Sequence, residues 1–454
     1  MSEQDVIDQA VRRARRFAAL GHDEAAKTAY LYVLRLDPAN LAALNELGVL
    51  ALASGHRSAA RTAWAQAVQH HPDDAQVRVN LGNLLAEDGD EASARAQFDS
   101  VLAVNPVHPQ AHQGLARLLA AIGDPTAEVH WQQGFSGHAV VARPYRGMGT
   151  GEAVLLLVSA RGGNVATQRW VNDRRFAVSA IYAEFFDPTE PLPPHDLVVN
   201  AIGDADLCHE ALDRAEAMVA RSSSPIINQP ARVRRTGRAE MAHRMRHVSG
   251  VITPRIVTIS RAVPPAAAGL RFPLLLRAPG FHTGQHFHFV PTADGWSDTV
   301  ATLPGKTVLA LEYLDARGPD GMARKYRVMC IDGRLYPLHL AISTDWKVHY
   351  FTAEMATNAA FREEERRFLE DMPTVLGERA MVALAAIAAT LGLDYAGIDF
   401  ALAPDGSVLL FEANATMAMP SPDPDPIWDY RRTAFASAFH AVDRMVSERL
   451  SGRI

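Results

Sequence analysis

The stretch Tyr395-Ala-Gly-Ile-Asp-Phe-Ala-Leu-Ala-Pro-Asp-Gly-Ser-Val-Leu-Leu-Phe-Glu-Ala-Asn-Ala-Thr416 decides how the second half of the chain is read. Residues 397–402 are apolar apart from Asp399, and 408–411 form a second apolar run. Between them Pro404, Asp405 and Gly406 are turn formers, so the spacing predicts a β-hairpin. Side chains alternate along a strand, which sends Glu412 and Asn414 to one face. Simple pairing about Asp405-Gly406 brings Asp399 opposite that end. An Asp, a Glu and an Asn then offer oxygen ligands on one patch, which suits a hard cation such as Mg²⁺. A hairpin whose polar residues merely face water leaves unexplained why carboxylates interrupt apolar strands, where an unpaired charge is costly.

This Asp…Glu-x-Asn pattern resembles the metal end of the ATP-grasp ligases, in particular the glutathione synthetase and ribosomal-protein glutamate ligase branch. The resemblance implies ATP and Mg²⁺, with Asp399, Glu412 and Asn414 as metal ligands. It extends upstream to about residue 151. In Asn228-Gln-Pro-Ala-Arg-Val-Arg-Arg-Thr-Gly-Arg238 the family carries a basic helix with a phosphate-reaching lysine. Arg238 is the best match here, with Arg232, Arg234 and Arg235 as competitors. Phe272-Pro-Leu-Leu-Leu-Arg277 ends where the family has a second lysine, and a guanidinium can hold phosphate but is not a neutral exchange. The Gly280-Phe-His-Thr-Gly-Gln-His-Phe-His288 segment has glycines that let backbone N–H groups approach phosphate. In the family a loop here folds over the triphosphate, so the resemblance implies His282, Thr283 and His286 as candidate phosphate contacts. The rival reading is a transition-metal site from His282, His286 and His288.

Val308-Leu-Ala-Leu-Glu-Tyr-Leu-Asp315 matches the family's hinge. Glu312, Tyr313 and Leu314 would meet the adenine edge, and Asp315 or Asp320 would hold the ribose. Lys325-Tyr-Arg-Val-Met-Cys-Ile-Asp-Gly333 resembles the family's Asp-x-Arg-Val strand, with Arg327 in the arginine's place and Lys325 where the usual Asp would stand. Arg327 would offset charge on the transferred phosphoryl group. Lys347 and His349 lie where relatives keep a basic loop around an acyl phosphate. Met417 and Met419 follow Asn414 and would line the acceptor site.

The N-terminal third repeats. Pro38, Pro72 and Pro106 are 34 residues apart, and Gly21, Gly55, Gly89 and Gly123 keep that interval. So do Ala26, Ala60 and Ala94, and the aromatics Tyr30, Trp64 and Phe98. Leu47-Gly48 recurs as Leu81-Gly82 and, weakly, as Leu115-Ala116. Period and motif are those of tetratricopeptide repeats, read at 7–40, 41–74 and 75–108 with a partial copy at 109–134. Such arrays resemble peptide- or protein-binding modules, and the array could equally serve only to dimerise the protein or to pack on the following domain.

From 151 to 230 strands at 153–158, 176–186 and 196–200 alternate with a helix expected near 167–172 and another at 208–221, the pattern of a small parallel sheet. Gly162-Gly163 lacks the rest of a dinucleotide fingerprint. Arg161 and Asn164 are either substrate contacts or turn residues. Near the C-terminus Phe435, Phe439, Val442 and Val446 form one apolar helical stripe, read as core.

The 454-residue length suggests several domains, and a net charge of −6 gives no support for nucleic-acid binding. Two cysteines, Cys208 and Cys330, make no disulfide framework. No apolar h-region opens the chain and apolar runs are short, so a cytoplasmic protein with no membrane span is expected. The expected fold is multidomain: an all-α tetratricopeptide-type solenoid (1–135), a linker (136–150), an α/β pre-ATP-grasp domain (151–230) and an α+β ATP-grasp domain (231–454). The implied activity is ATP-dependent carboxylate–amine ligation of small-molecule or peptide substrates. The alternatives are phosphotransfer to a hydroxyl, or a scaffold with a nucleotide domain that does not turn over.

Overall fold

The computed structural model describes residues 2–278, 286–348 and 353–452. It resolves into two compact units, Met1–Ala153 with Asp173–Pro191, and Val154–Asn172 with Leu192–Ile454.

The first unit opens with paired helices: α1 (Glu3–Ala19) with α2 (Asp23–Leu36), α3 (Leu41–Ala53) with α4 (Arg57–His70), α5 (Ala75–Glu87) with α6 (Glu91–Val104), and α7 (Pro109–Ala121) with α8 (Ala127–Phe135). The sequence period has three physical sources. Gly21, Gly55, Gly89 and Gly123 all take positive φ in the turn within a pair, where a side chain would be strained. Asn40, Asp74 and His108 cap α3, α5 and α7 by accepting from the N–H three residues on. Tyr30, Trp64 and Phe98 are buried, and a Cβ on Gly48 would lie 2.4 Å from the Trp64 ring while one on Gly82 would lie 2.7 Å from Phe98. Gly82→Val should therefore destabilise the array by about 1–3 kcal/mol or more, read as a lower helix-to-coil midpoint in thermal melts.

Within the last pair His112 is buried, with Nε2 2.9 Å from the Pro106 carbonyl and Nδ1 2.8 Å from Nδ1 of His130. Only one ring of the pair can donate across that contact. Burial, then the neighbouring His112, pushes the His130 pKa below its ordinary 6.5. The unfolded state then binds more protons in the window below about 6.5, so array stability should fall as pH drops through it. Melts at neutral and mildly acidic pH check this, and His130→Gln should flatten the difference.

After α8 come β1 (Val140–Ala142), β2 (Glu152–Val158) and β3 (Phe176–Tyr182). β1 pairs antiparallel with β3. In the second unit β2 runs parallel to β4 (Leu197–Asn200), and β4 to β5 (Ile226–Ile227), with α9 (His209–Val219) between them in sequence. The expected helix near 167–172 is absent. Those residues turn, with the Trp170 and Val171 N–H groups both donating to the Thr167 carbonyl, and Trp170 is buried 5.8 Å from the Tyr395 ring. A tertiary contact overrides a short local propensity there.

Next come α10 (Pro230–Val233), α11 (Arg238–Met245), β6 (Val251–Ile252), β7 (Ile256–Ser260), β8 (Leu274–Arg277), β9 (Phe287–Val290), α12 (Trp296–Thr302) and β10 (Thr307–Glu312). Four of these strands form an antiparallel sheet in the order β7-β10-β8-β9. Its one face buries Leu274, Leu276, Val308 and Ala310 against Trp296 and Val300 of α12. The other face presents Leu275 and Arg277, as alternation requires.

The chain then builds β11 (Ala323–Ile331), β12 (Arg334–Ser343), α13 (Ala359–Glu370), α14 (Met372–Leu391), β13 (Tyr395–Leu402), β14 (Val408–Asn414) and α15 (Arg432–Leu450). The second sheet has the order β12-β11-β13-β14-β6, antiparallel except for the β14–β6 pair. Phe368, Leu384, Ile387, Val442 and Val446 of the helices are buried. The upper part of the expected α15 stripe is different: Phe435 and Phe439 are half-buried, with the Arg169 guanidinium 5.2 and 4.7 Å from their ring centres. Among the described residues α14 alone is long and apolar enough to cross a membrane by length and composition, and it buries Leu376, Ala380, Leu384 and Ile387. Cys208 and Cys330 are buried and not in a disulfide, and the Cys208 thiol donates to the Gly162 carbonyl at 3.2 Å.

Candidate nucleotide and metal site

Between the four-stranded sheet and the β12-β11-β13-β14-β6 sheet of the second unit lies a cavity of about 440 Å³. The four-stranded sheet supplies Leu275, Arg277, Phe287 and Leu311, and the five-stranded sheet supplies Lys325, Arg327, Asp399, Phe411 and Glu412. Arg238, at the start of α11, closes one side, and Thr416, Met417 and Ala418 border another.

The hairpin read from sequence forms as β13 and β14, with one irregularity that decides the site. From the turn inward, Leu402 faces Val408 and Phe400 faces Leu410. Continued in that register, Asp399 would oppose Phe411, and Glu412 would point to the far face. A bulge at Phe411 shifts the pairing by one, so that Asp399 opposes Glu412 and Gly397 opposes Asn414. Phe411 and Glu412 both then reach the cavity. In β11 Arg327 lies opposite Asp399 on one side and His339 of β12 on the other. His339, Arg327, Asp399 and Glu412 thus form one polar row across four strands.

Charge along this row is closely paired. Asp399 is 3% exposed and receives Arg327 Nε at 2.6 Å on one oxygen and Nη2 at 2.8 Å on the other. Lys325 Nζ stands 3.3 Å from the second oxygen. Burial alone would raise the Asp399 pKa, but Arg327 and then Lys325 hold it far below the usual carboxylate range. Glu412 accepts from Arg238 Nη2 at 3.0 Å and from Asn414 Nδ2 at 2.9 Å, and Asn414 Oδ1 accepts from the Thr416 N–H and hydroxyl. Arg238 also donates to Asp206 at 3.2 Å. Burial opposes its charge, and Glu412 and Asp206 outweigh that and raise its pKa. Burial, then repulsion from Arg238, lowers the Arg277 pKa. His339 is pushed well below its ordinary value by burial and by Arg327, so it is neutral.

The expected residues divide clearly. Arg238, Arg277, Glu312, Tyr313, Leu314, Arg327, Lys347, Asp399 and Glu412 line the cavity, and Asn414 bonds to Glu412 behind it. Arg232, Arg234 and Arg235 are exposed and bond to Gly392, Asp213 and Glu240 respectively, which leaves Arg238 as the cavity arginine of that run. The N–H groups of Glu312 and Tyr313 donate to the carbonyls of Arg255 and Pro273, so the two amides serve the fold. Asp315 and Asp320 do not line the cavity. Both are exposed, the first paired with Arg317 at 2.7 Å and the second with Arg324 at 2.8 Å. His282, Thr283 and His349 lie outside the described residues. His286 and His288 are exposed, and no cluster of His, Cys, Asp and Glu able to hold a metal occurs among the described residues. Asn164 closes its own turn by bonding both ways with the Ser159 backbone.

Sequence reading passed over Trp346, which packs on Phe287 and Phe289 with ring centres 5.5 Å away in each case. Its signal was an aromatic beside Lys347 in a run expected to be basic. Met417 lines the cavity, and its loop lies on Gly397, where a Cβ would fall 2.3 Å from the Met417 Cβ, while the Tyr395 hydroxyl donates to its carbonyl at 2.8 Å.

The donor chemistry at β13 and β14 fits a hard cation: two carboxylates and an amide oxygen on neighbouring strands. In this structure Asp399 already has positive partners.

The tetratricopeptide repeat family model matches residues 57–118. No curated protein matches the chain. Among solved structures it is similar to a RimK-domain ATP-grasp protein of Sphaerobacter thermophilus DSM 20745, at 15% identity over 66% of this chain and 99% of the other, TM-score 0.42. It is also similar to a tetratricopeptide repeat protein of Parabacteroides merdae ATCC 43184, at 21% identity over 28% of this chain and 51% of the other, TM-score 0.27. The protein MamA is a third, at 16% identity over 28% and 75%, TM-score 0.27. The chain joins a tetratricopeptide repeat solenoid to mixed α/β sheet domains.

Proposed function

We propose that the second unit is an ATP-dependent carboxylate–amine ligase of the ATP-grasp type. The observation that carries this reading is the cavity between two largely antiparallel sheets. Among the described residues it gathers five cationic side chains, Arg238, Arg277, Lys325, Arg327 and Lys347, beside an apolar wall of Ile256, Leu275, Leu311 and Leu314. A triphosphate meets the cations and a base meets the wall. The volume falls in the range of small-molecule sites.

Arg238, Arg277 and Arg327 bind and orient the phosphates. Arg327, fixed by Asp399, keeps its guanidinium aimed and offsets charge on the transferred group. Lys347, beside Trp346, faces the substrate end. Glu412 and Asn414 would hold the Mg²⁺, which when bound supplies positive charge to the phosphate oxygens, and Asp399 would join them on giving up one of its partners, Arg327 or Lys325. The substrate carboxylate attacks the γ-phosphate to give an acyl phosphate and ADP, and an amine then displaces phosphate to form an amide. The protein's work in both steps is positioning and charge stabilisation. The repeat array is the surface for a protein or peptide partner, or for a second copy of the chain.

The test is release of ADP and phosphate by the full chain with Mg²⁺ and pools of acids and amines. Turnover that needs both an acid and an amine, and that Glu412→Gln lowers by about a hundredfold or more, supports ligation. Turnover with a hydroxyl acceptor and no amine indicates a phosphotransferase. ATP binding without turnover in any pool indicates a scaffold.

A further inference from the structure

The arrangement around Asp399 points to a built-in counter-charge, and we infer that Lys325 takes the part of a divalent ion there, so that nucleotide binds without metal. The inference rests on reading the cavity as a nucleotide site.

The physical case begins with Asp399. Its carboxylate is nearly excluded from solvent, and both oxygens are taken by cations of the same chain: Arg327 at 2.6 and 2.8 Å and Lys325 at 3.3 Å. A divalent ion on these oxygens would have to displace at least one of them or stand against its charge. One carboxylate facing two cations leaves a net positive charge at this point of the wall. Lys325 and Arg327 are two residues apart on β11, so alternation sends both to the same face, and both line the cavity. The wider balance agrees, since among the described residues five lining cations meet three lining carboxylates, Glu312, Asp399 and Glu412, with Asp206 behind Arg238 as a fourth. That surplus exists before any ion arrives, in a partly buried setting where charge is weakly screened.

An ammonium is suited to this part. It is a compact charge on a flexible stem, able to keep Asp399 as a partner while it leans toward a phosphate oxygen. Arg327, held by both its donors on Asp399, has no such freedom. The two cations thus divide the work: Arg327 fixes the carboxylate and Lys325 carries the movable charge. A metal ion at Glu412 and Asn414 would add to this arrangement for turnover, while binding itself would not wait for it.

Isothermal titration of the full chain with ATP, in magnesium and in EDTA, tests this, with Lys325→Met and Lys325→Arg beside the unaltered protein. The unaltered chain should bind ATP in EDTA within about tenfold of its affinity in magnesium. Lys325→Met should lose a further tenfold or so in EDTA and recover in magnesium, and Lys325→Arg should keep binding in EDTA. Thermal melts of each variant separate lost charge from lost fold, and Lys325→Arg keeps the comparison usable if the methionine variant unfolds. A fall of about a hundredfold or more for the unaltered chain in EDTA overturns the inference while leaving the nucleotide reading intact. Equal behaviour of Lys325→Met and the unaltered chain in both buffers does the same. No ATP binding by the unaltered chain in either buffer overturns the nucleotide reading, and this inference with it.

Discussion

Arg327→Met is expected to lower ATP turnover by about a thousandfold or more and to destabilise the second unit by about 3 kcal/mol. The two effects have one origin. Arg327 donates twice to Asp399, which is 3% exposed, and its removal leaves that carboxylate with Lys325 as its cation among the described partners. Breaking one side of a buried pair costs about 3–5 kcal/mol, because the surviving charge has lost its compensation. Lys325 at 3.3 Å softens the loss, which places the expectation at the low end. The guanidinium is also held in place by its two donations to Asp399, so its loss removes charge stabilisation that costs no reorganisation during reaction. Arg327→Lys separates the two roles. It keeps the charge and so most of the stability, but an ammonium cannot reproduce the paired donation, and turnover should still fall strongly. Denaturant unfolding reads the stability and ADP release reads the turnover. A stable, fully active Arg327→Met protein would remove Arg327 from the site.

What could be read from sequence follows from how local each determinant is. The repeats were readable because each turn glycine, cap and aromatic performs its task within one helix pair or against the next. The interval of 34 residues is that geometry written out. The hairpin was readable for the same reason, since its turn and both strands are contiguous. The bulge at Phe411 was not, because nothing in Val-Leu-Leu-Phe-Glu marks which residue leaves the ladder. Yet the bulge is what turns Glu412 toward Asp399. Asp315 and Asp320 follow the hinge in sequence, and each is captured by an arginine a few residues on, Arg317 and Arg324. Such local pairing depends on side-chain direction in an irregular loop, which has no period to read. Lys325 departs from the family pattern in sequence, but only the strand register sets it beside Asp399. The turn at 167–172 belongs to the same class, since Trp170 is fixed by Tyr395, more than two hundred residues away.

Behind the second sheet, Glu365→Leu is expected to destabilise the unit by about 3–5 kcal/mol, the largest single loss of stability anticipated for this fold. Glu365 of α13 has no solvent exposure, and Arg431, in the short 3₁₀ turn Pro426–Arg431, is 6% exposed. One Glu365 oxygen accepts from Arg431 at 2.6 and 3.1 Å and from the Tyr430 hydroxyl at 2.5 Å, and the other accepts from the Leu340 N–H at 3.3 Å. Burial raises the Glu365 pKa against the pull of Arg431, so part of the pair's attraction is spent on desolvation. Removing the carboxylate takes from a buried guanidinium, a phenol and a backbone N–H the acceptor oxygens they use. Removing both charges is a different change. Glu365→Leu with Arg431→Leu leaves no orphaned ion, and its loss should be well under the sum of the two single variants. The network also ties α13 and β12 to the start of α15, and the chain leading into that turn carries Met417 and Ala418 at the cavity edge. Loosening it should therefore weaken substrate binding before it touches nucleotide binding. Denaturant curves of the two single variants and the double variant give the coupling, and KM for the acid substrate measured beside ATP affinity gives the functional part. Additive losses would mean that the pair is not coupled, and an unchanged KM would confine the network to stability.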